Sequence, residues 1–496
     1  MSTVTKAIRI KDTHITINPN QLFHRIVCVV KSESDLASYL AYELSPRPPS
    51  LFNEFSLRKG TKSSLVPVIE ALAPTEHLPP AAAVYTLDGG YLLHHVVWQC
   101  PATFSQICSQ YTSFVKQKYG NANVVFDGYE TQSTKDEEHF RRGRTQSSRD
   151  IAVENHIQVP ISQQEFMGNP KNKMGLIKLL STHLEAAGCK VHQAEADADR
   201  LVATTAIDIG DSGQESVLVG EDTDLLVLLI ALAKPQTDIK MMVPADKTHP
   251  PKIFNIKRIQ SEMGDMTGSL LFLHAITGCD TTSAVYRKGK RVPYKKLKEN
   301  PAIRQKMQIF YDPNASRNDV AAAGEAFLLV MYGEKPEGSL DKQRYFAYLR
   351  TIAKQPVHAR FDLATLPPTS AAARQHSYRT FHQVQQWLGN ALDPTNWGWE
   401  LKNDLLKPVT SLKEPVLASL LHLIVCNCRT GCEVNCECRR CGLPCTHMCG
   451  YCAGHGCSNQ CAFDADDEEY VDECAEEYRE IVDADEYHPL QKKKRR

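Results

Sequence analysis

From residue 81 onward, short apolar runs alternate with longer stretches in which apolar residues recur at helical spacing. AAAVYTLDGGYLLHHVVW, starting at Ala81, reads as a strand, an Asp88-Gly89-Gly90 turn and a helix. NANVVFDGYE repeats the theme, with a strand through Phe126 and then Asp127-Gly128. A third unit begins near Met174, where GLIKLLSTHLEAAG has helical spacing and ends on Gly188, a suitable residue just past a helix end. CKVHQ then reads as a strand, and Ala194-Glu-Ala-Asp-Ala-Asp-Arg200 opens another helix. The fourth unit is VLVGEDTDLLVLL (Val217–Leu229), a buried strand ending at Val219, a turn at Gly220 and a helix starting near Asp224. LLFLHAIT, helix-like, leads to Gly278-Cys279-Asp280. Strands alternating with helices predict an α/β fold, a doubly wound parallel sheet flanked by helices. Residues 300–400 read as mainly helical, with Trp387, Trp397 and Trp399 as core or packing residues and His376 and His382 as ordinary residues without a catalytic signal. Residues 1–80 carry no chemical signal and are expected to form an accessory segment.

The polar breaks matter more than the runs. Asp88, Asp127, the Glu195/Asp197 pair and the Asp222/Asp224 pair each follow an apolar strand. In a parallel sheet they gather at the carboxyl edge, where ligands bind in open α/β folds. Asp280 can join them from a helix end. Asp222 and Asp224 lie two residues apart beside much hydrocarbon, so they repel one another and resist desolvation. A divalent cation between them relieves both effects, because hard cations prefer carboxylate oxygen. Any one of these acids also suits a helix N-cap or a turn. Their recurrence within about 200 residues is what points to a shared metal centre.

Composition narrows the class. With 496 residues, 42% hydrophobic and 23% charged, the chain is an ordinary soluble globular sequence of about three domains. No run approaches the ~18 apolar residues of a membrane span, and MSTVTKAIRIKD lacks a signal-peptide core, so no membrane partner is expected. The net charge of −1 hides an uneven distribution. Of 17 cysteines, eleven lie between Cys426 and Cys461. One dense block in an intracellular chain points to zinc rather than disulfides.

In residue order, the acidic motifs resemble the flap endonuclease–XPG nucleases, which have a PIN-like fold. That family carries an early Asp opening a helix, then FDG, EAEA, D-x-D after a strand, and GCDY. This chain has Asp88; Phe126-Asp127-Gly128; Glu195-Ala196-Asp197-Ala198; Asp222-Thr223-Asp224; and Gly278-Cys279-Asp280-Thr281. Asp197 stands where the family has Glu. The resemblance spans roughly residues 81–300 and implies two-metal phosphodiester hydrolysis with Mg2+ or Mn2+, two ions about 4 Å apart. It implies that Glu195, Asp197, Asp222 and Asp224 hold most of the ions, while Asp88, Asp127 and Asp280 complete the shell or orient waters. It also implies a Lys and an Arg steering the scissile phosphate; Lys135 and Arg141 are the nearest equivalents, with Arg142 and Arg144 close by.

Two departures stand out. Asp88 follows 87 residues where the family's Asp lies near the N-terminus. In place of the family's glycine-rich helix-two-turn-helix comes a basic run: Arg287, Lys288, Lys290, Arg291, Lys295, Lys296 and Lys298. Such a run contacts phosphates by charge, or serves as a solubilising loop or import signal.

In the cysteine block, repeated C-x-C pairs suit thiolates bridging a zinc cluster, which substitutes for a core in a short segment. The spacing resembles the tesmin-type CXC domain. On that resemblance Cys426, Cys428, Cys432, Cys436, Cys438, Cys445, Cys449, Cys452 and Cys457 hold three zinc ions. Cys441 and Cys461 are extra, His447 and His455 are alternative ligands, and Asn435 replaces the family's DNA-contacting Tyr. The acidic stretch Asp464–Glu486 and the closing Lys492–Arg496 cluster complete the chain; the latter suits nuclear import. The layout as a whole also resembles animal proteins associated with mobile elements. The expected organisation is an accessory segment (1–80), a PIN-like nuclease domain (81–300), a helical extension (301–415), a zinc block (420–462) and a charged tail (463–496). The expected function is a nuclear, metal-dependent nuclease acting on DNA, with RNA as an open substrate. The alternative is a catalytically inactive nucleic-acid-binding or scaffold protein of the same fold.

Overall fold

The computed structural model divides into two compact units, residues 37–415 and residues 1–36 with 416–496. Outside the described residues lie 1–5, 11–12, 18–21, 24–25, 28–29, 31, 54–55, 77–81, 129–133, 135–148, 196, 246–248, 355–360, 404, 418–427, 429–430, 434–435, 437–438, 440–444, 446–448, 454–455 and 460–496.

The larger unit is built on a six-stranded sheet: β1 (Val84–Asp88), β2 (Asn123–Phe126), β3 (Lys190–Gln193), β4 (Ser216–Val219), β5 (Ile239–Val243) and β6 (Lys252–Asn255). Their spatial order is β3-β2-β1-β4-β5-β6. All neighbours are parallel except β5 and β6. Every residue of β2 and β4 is buried, which is why NVVF and SVLV read as unbroken runs rather than alternating ones. The sheet is thus mostly parallel with an antiparallel edge strand, as the alternating sequence pattern predicts.

Helices cover both faces. On one side α1 (Gly89–His95), α2 (Phe104–Tyr119) and α3 (Pro170–Ala186) pack on Leu87, Val124, Phe126, Val217 and Val219. Local signals set their ends. A reciprocal Thr103–Gln106 capping box starts α2, and Asn169 caps α3 with Pro170 as its first residue.

On the other side lie α4 (Asp199–Asp211), α5 (Thr223–Leu232), α6 (Ile256–Met263) and α7 (Leu270–Ile276). They share one core with α9 (Arg317–Met331) and α10 (Ser370–Leu388). α5 is buried at every position from Thr223 to Ile230, as a helix apolar all round must be. The basic run forms α8 (Arg291–Glu299) after a loop. The middle region is helical, as predicted.

One boundary differs from expectation. α4 begins at Asp199, so Glu195 and Asp197 sit in the connection before it. That connection is held against the end of β2: Ala194 N donates to Phe126 O at 2.9 Å, and Ala198 N donates to Asp127 Oδ1 at 3.1 Å. These bonds hold Ala194 and Ala198 at the sheet edge.

In the second unit, Lys6–Ile10 and Thr13–Ile17 pair antiparallel, and a cysteine cluster lies between residues 428 and 457.

Candidate metal centre

Strand register gathers the acids. Leu87 pairs with Val219, Asp88 with Val125, and Phe126 with Gln193, so four parallel strands end at one level. Asp88 closes β1, and Asp127, Glu195 and Asp222 follow within three residues of the ends of β2, β3 and β4. The N-cap role and the site role coincide: Asp88 Oδ1 accepts from Gly90 N at 2.8 Å, and Asp222 Oδ1 accepts from Asp224 N at 2.9 Å. At Asp222 the cap uses Oδ1, and Oδ2 lies 3.4 Å from the Lys62 ammonium.

The tightest group is Asp222, Asp224 and Asp280, which offer carboxylate oxygens within 4.8 Å of one another. In the sequence reading Asp280 only completes the shell; here it belongs to the innermost set. Among the described residues, Asp88, Asp127, Glu195 and Asp197 form no such group of three. Asp88 nonetheless senses its neighbours. Burial, then the Asp127 charge and more weakly Asp222, push its carboxyl up to about 6 against the help of the Gly90 and Tyr91 amides. Burial, then Asp224, also raises Asp222, while Lys62 opposes the shift. Glu195 is exposed and Asp197 half-buried.

Two glycines make this geometry feasible. A Cβ on Gly128 would lie 2.1 Å from Ala194 O, so FDG lets the Glu195 loop press against the end of β2. Gly278 has φ +106°, and a Cβ there would lie 2.7 Å from Ala284 N.

Three residues of the centre carry no chemical role in the sequence reading. Lys62, from the segment assigned no chemistry, places its ammonium 2.8 Å from Asp280, 3.1 Å from Asp224 and 3.4 Å from Asp222. Burial would lower its pKa, but the three carboxylates overcome this and hold it above the ordinary lysine value. His274, fully buried in α7, meets Asp224 Oδ1 at 2.7 Å through Nε2. Burial, then the charge of Lys290, lowers its pKa to about 4, so the ring is neutral and Nε2–H is the donor. This fixes Asp224 with Oδ2 turned to the site. Gln383 in α10 accepts from Thr281 Oγ1 and ties the Gly278–Asp280 loop to the core. A His inside an apolar helical run is the one sequence signal that marks any of the three; Lys62 and Gln383 have none.

The basic run does not form a single surface. Lys290 is buried, donating to His274 O (2.9 Å), Thr277 Oγ1 (3.0 Å) and Gly278 O (2.7 Å). Its three N–H groups thus close the carboxyl end of α7 and cannot also reach a phosphate. Lys288 lies over the Tyr332 ring, 4.5 Å from its centroid. Arg287, Arg291, Lys295 and Lys298 face solvent, and Lys296 is half-buried. Lys135, Arg141, Arg142 and Arg144 lie outside the described residues. A cavity of about 680 Å³ adjoins the acids, lined by Lys62, Asp88, Tyr91, His94, His95 and Glu221 among others.

Hard oxygen donors carrying three negative charges, already gathered around one cation, fit a divalent ion.

The cysteine cluster is a second candidate site, considered by itself. Two sets of four sulfurs lie within 4.8 Å: Cys428, Cys432, Cys436, Cys449, and Cys432, Cys445, Cys449, Cys452. Cys432 and Cys449 belong to both, with their sulfurs 3.5 Å apart; Cys436 and Cys445 are 3.6 Å apart. Thiolates on one tetrahedral zinc stand about 3.8 Å apart, so the set has the compactness of a metal-thiolate cluster. None of the described cysteines is joined in a disulfide. Cys457 is half-buried beside the group, and Cys426, Cys438, Cys441 and Cys461 lie outside the described residues.

No protein-family model matches the chain, and no curated protein sequence matches it. Among solved structures it is similar to the catalytic core of Rad2 in complex with DNA substrate, at 13% identity over 66% of this chain and 95% of that one, TM-score 0.33. It is also similar to the bacteriophage T5 D15 flap endonuclease in complex with DNA and metal ions, at 12% identity over 62% and 90%, TM-score 0.30. A further match is human GEN1 in complex with Holliday junction DNA, at 13% identity over 73% and 94%, TM-score 0.33. Likeness at this level does not assign an activity. No described helix is long and apolar enough to cross a membrane.

Proposed function

We propose that the chain is a divalent-metal-dependent nuclease that hydrolyses phosphodiester bonds in DNA by a two-metal mechanism. The observation that carries this is the convergence of Asp222, Asp224 and Asp280 on one cation, with Asp88 and Asp127 at the same sheet edge. Asp222, Asp224 and Asp280 would hold one Mg2+ or Mn2+; Asp88, Asp127, Glu195 and Asp197 would provide for the other. The chemistry supplied on binding is activation of water and neutralisation of charge at the phosphate. His274 holds Asp224 in orientation. Arg287, Arg291, Lys295 and Lys298 reach DNA backbone from solvent-facing positions, and Lys135 and Arg141, as the nearest equivalents of the basic pair the resemblance implies, steer the scissile phosphate. The cysteine block holds zinc, three ions on its resemblance to the CXC pattern, and acts as a nucleic-acid or partner module. The Lys492–Arg496 cluster directs the protein to the nucleus.

The test is cleavage of fluorescent 5′-flap DNA, single-stranded DNA and RNA by the wild type and by Asp224→Asn, with Mn2+ and with EDTA. Cleavage that needs metal and disappears in the variant supports the reading. Intact substrates despite tight binding, across a range of salt, sink it in favour of a catalytically inactive nucleic-acid-binding protein of the same fold. One observation favours that second reading: an ammonium, that of Lys62, stands among the acids.

A further inference from the structure

We infer that Lys62 is a tethered cation that fills the Asp222/Asp224/Asp280 site in the resting protein and must leave before a divalent ion can enter. The inference rests on reading these acids as a divalent-ion site, and it adds a control of that site by the chain itself.

The first ground is stoichiometry of contact. An ammonium has three N–H groups and no acceptor. Here it meets three carboxylates from two segments, Asp222 and Asp224 at the start of α5 and Asp280 after α7. Asp224 is almost fully buried, so it needs a counter-charge whether or not metal is present. A divalent ion bound by the same three oxygens would lie where the ammonium lies. Two cations cannot share that space, so each disfavours the other.

The second ground is that the lysine is held there by its backbone. The segment before it is strapped to the loop that bears Asp280. Tyr286 N donates to Ser50 O at 2.9 Å, Ala284 N to Arg58 O at 2.7 Å, and Lys59 Nζ to Asp280 O at 2.7 Å. The Arg58 guanidinium lies 4.7 Å from the Tyr286 ring centroid and bonds Pro49 O at 2.6 Å. A Cβ on Gly60 would come within 2.8 Å of the Ala284 side chain, so the strap runs in close contact with that loop. The effective concentration of the ammonium at the acids is therefore high and independent of the medium. The side chain can still leave, because it is 22% exposed and also lines the adjoining cavity.

The experiment is Mn2+ titration of the zinc-loaded full-length chain without nucleic acid, followed by the paramagnetic resonance of free Mn2+. Wild type, Lys62→Met, Lys62→Gln and Asp224→Asn are compared. The site lost in Asp224→Asn is the acidic centre. Lys62→Met and Lys62→Gln are expected to bind Mn2+ at that site at least tenfold more tightly than the wild type. They should melt at a lower temperature than the wild type without Mn2+ and gain more from its addition. Affinity equal to or weaker than wild type in both variants overturns the inference, as does a centre that binds no Mn2+ in any of the proteins. The binding readout is separate from catalysis. Tighter binding in a protein that cuts nothing would leave the inference standing and remove the nuclease reading. Cutting by a protein whose Mn2+ affinity ignores Lys62 would do the reverse.

Discussion

The carboxylates at the sheet edge and the sulfurs of residues 428–457 both bring together groups suited to a metal, but different forces assemble them. Asp222 and Asp224 stand where they do because β4 and α5 are buried hydrocarbon that would pack without them. The sheet and its two cores fix the acids, and Lys62 offsets their repulsion. The cysteine cluster has no such scaffold among the described residues: its buried set is five cysteines, with two more packed against them. There the sulfurs themselves are the core. On the proposed metal roles, the acidic centre is expected to keep its shape without an ion, whereas the cysteine cluster is expected to need metal to hold its own.

Removing metal is the strongest way to break that comparison. Structural zinc contributes about 10–16 kcal/mol to the folding of short modules. Exhaustive chelation of the full-length chain is expected to open residues 428–457 to protease while leaving residues 37–415 resistant, read by limited proteolysis and mass spectrometry. Simultaneous digestion of both units would remove the distinction. Within the cluster, Cys432→Ser should lower bound zinc, by elemental analysis, more than Cys428→Ser, because Cys432 belongs to both four-sulfur sets and Cys428 to one.

At the acidic centre the same kind of change should spare the fold and remove activity. Asp224→Asn keeps the shape and the His274 contact but deletes a buried negative charge. Cleavage should fall on the order of 10³-fold, about 4 kcal/mol of barrier, with the melting temperature shifted by only a few degrees. Unfolding of the variant would mean that the scaffold depends on the acids after all.

How much of this was legible follows from the same division. The sheet and its strand ends were readable because apolar runs have a period and the acidic breaks after parallel strands fall on one edge. Asp280 was readable as a member but not as part of the innermost set, because its place depends on Gly278 and on Thr281 bonding Gln383 a hundred residues later. Lys62 was not readable at all: its position comes from a strap held by long-range backbone bonds and by the Lys59 and Arg58 side chains, none of which leaves a periodic signal. Lys290 misled for a related reason. A basic run predicts an outward face, yet the orphan carbonyls at the end of α7 claim this one lysine. α10 is the clearest loss, since nothing in the sequence marks Gln375, Arg379, Thr380, Gln383 and Gln385, and all are buried with His376.

That buried polar helix sharpens the contrast between the two regions, because it is expected to make the larger unit acid-sensitive. His376 Nε2 bonds Ile276 O at 2.9 Å, and burial, then Arg379, lowers its pKa to about 3. His274 is lowered to about 4. A histidine depressed in the fold takes up its proton on unfolding. The stability it protects is full above the unfolded value near 6.5 and declines as pH falls towards 4 and 3. Each group can contribute a slope of up to about 1.4 kcal/mol per pH unit in that window. Urea midpoints of the zinc-loaded chain should drop steeply between pH 6.5 and 4.5, and His376→Gln should flatten the slope while lowering stability at pH 7. An unchanged slope would place the acid sensitivity elsewhere.

The smallest effect has the opposite sign and tests whether the sheet edge stores repulsion. Asp88 has its carboxyl raised to about 6 by burial and by Asp127, so the fold prefers it protonated. Ionising it costs the fold nothing below the unfolded value near 3.8. The cost grows as pH rises from 3.8 to 6 and stays constant above. Asp88→Asn keeps an oxygen for the Gly90 amide and removes that cost. Without divalent ions, the variant should be more stable than wild type by about 1–2 kcal/mol at pH 7 and equal to it near pH 4. Added Mn2+ should narrow or reverse the gap, because the ion favours the charged carboxylate that the empty fold resists. A variant less stable at every pH would mean that Asp88 is held as a cap alone, and that the edge carries no repulsion for a second ion to relieve.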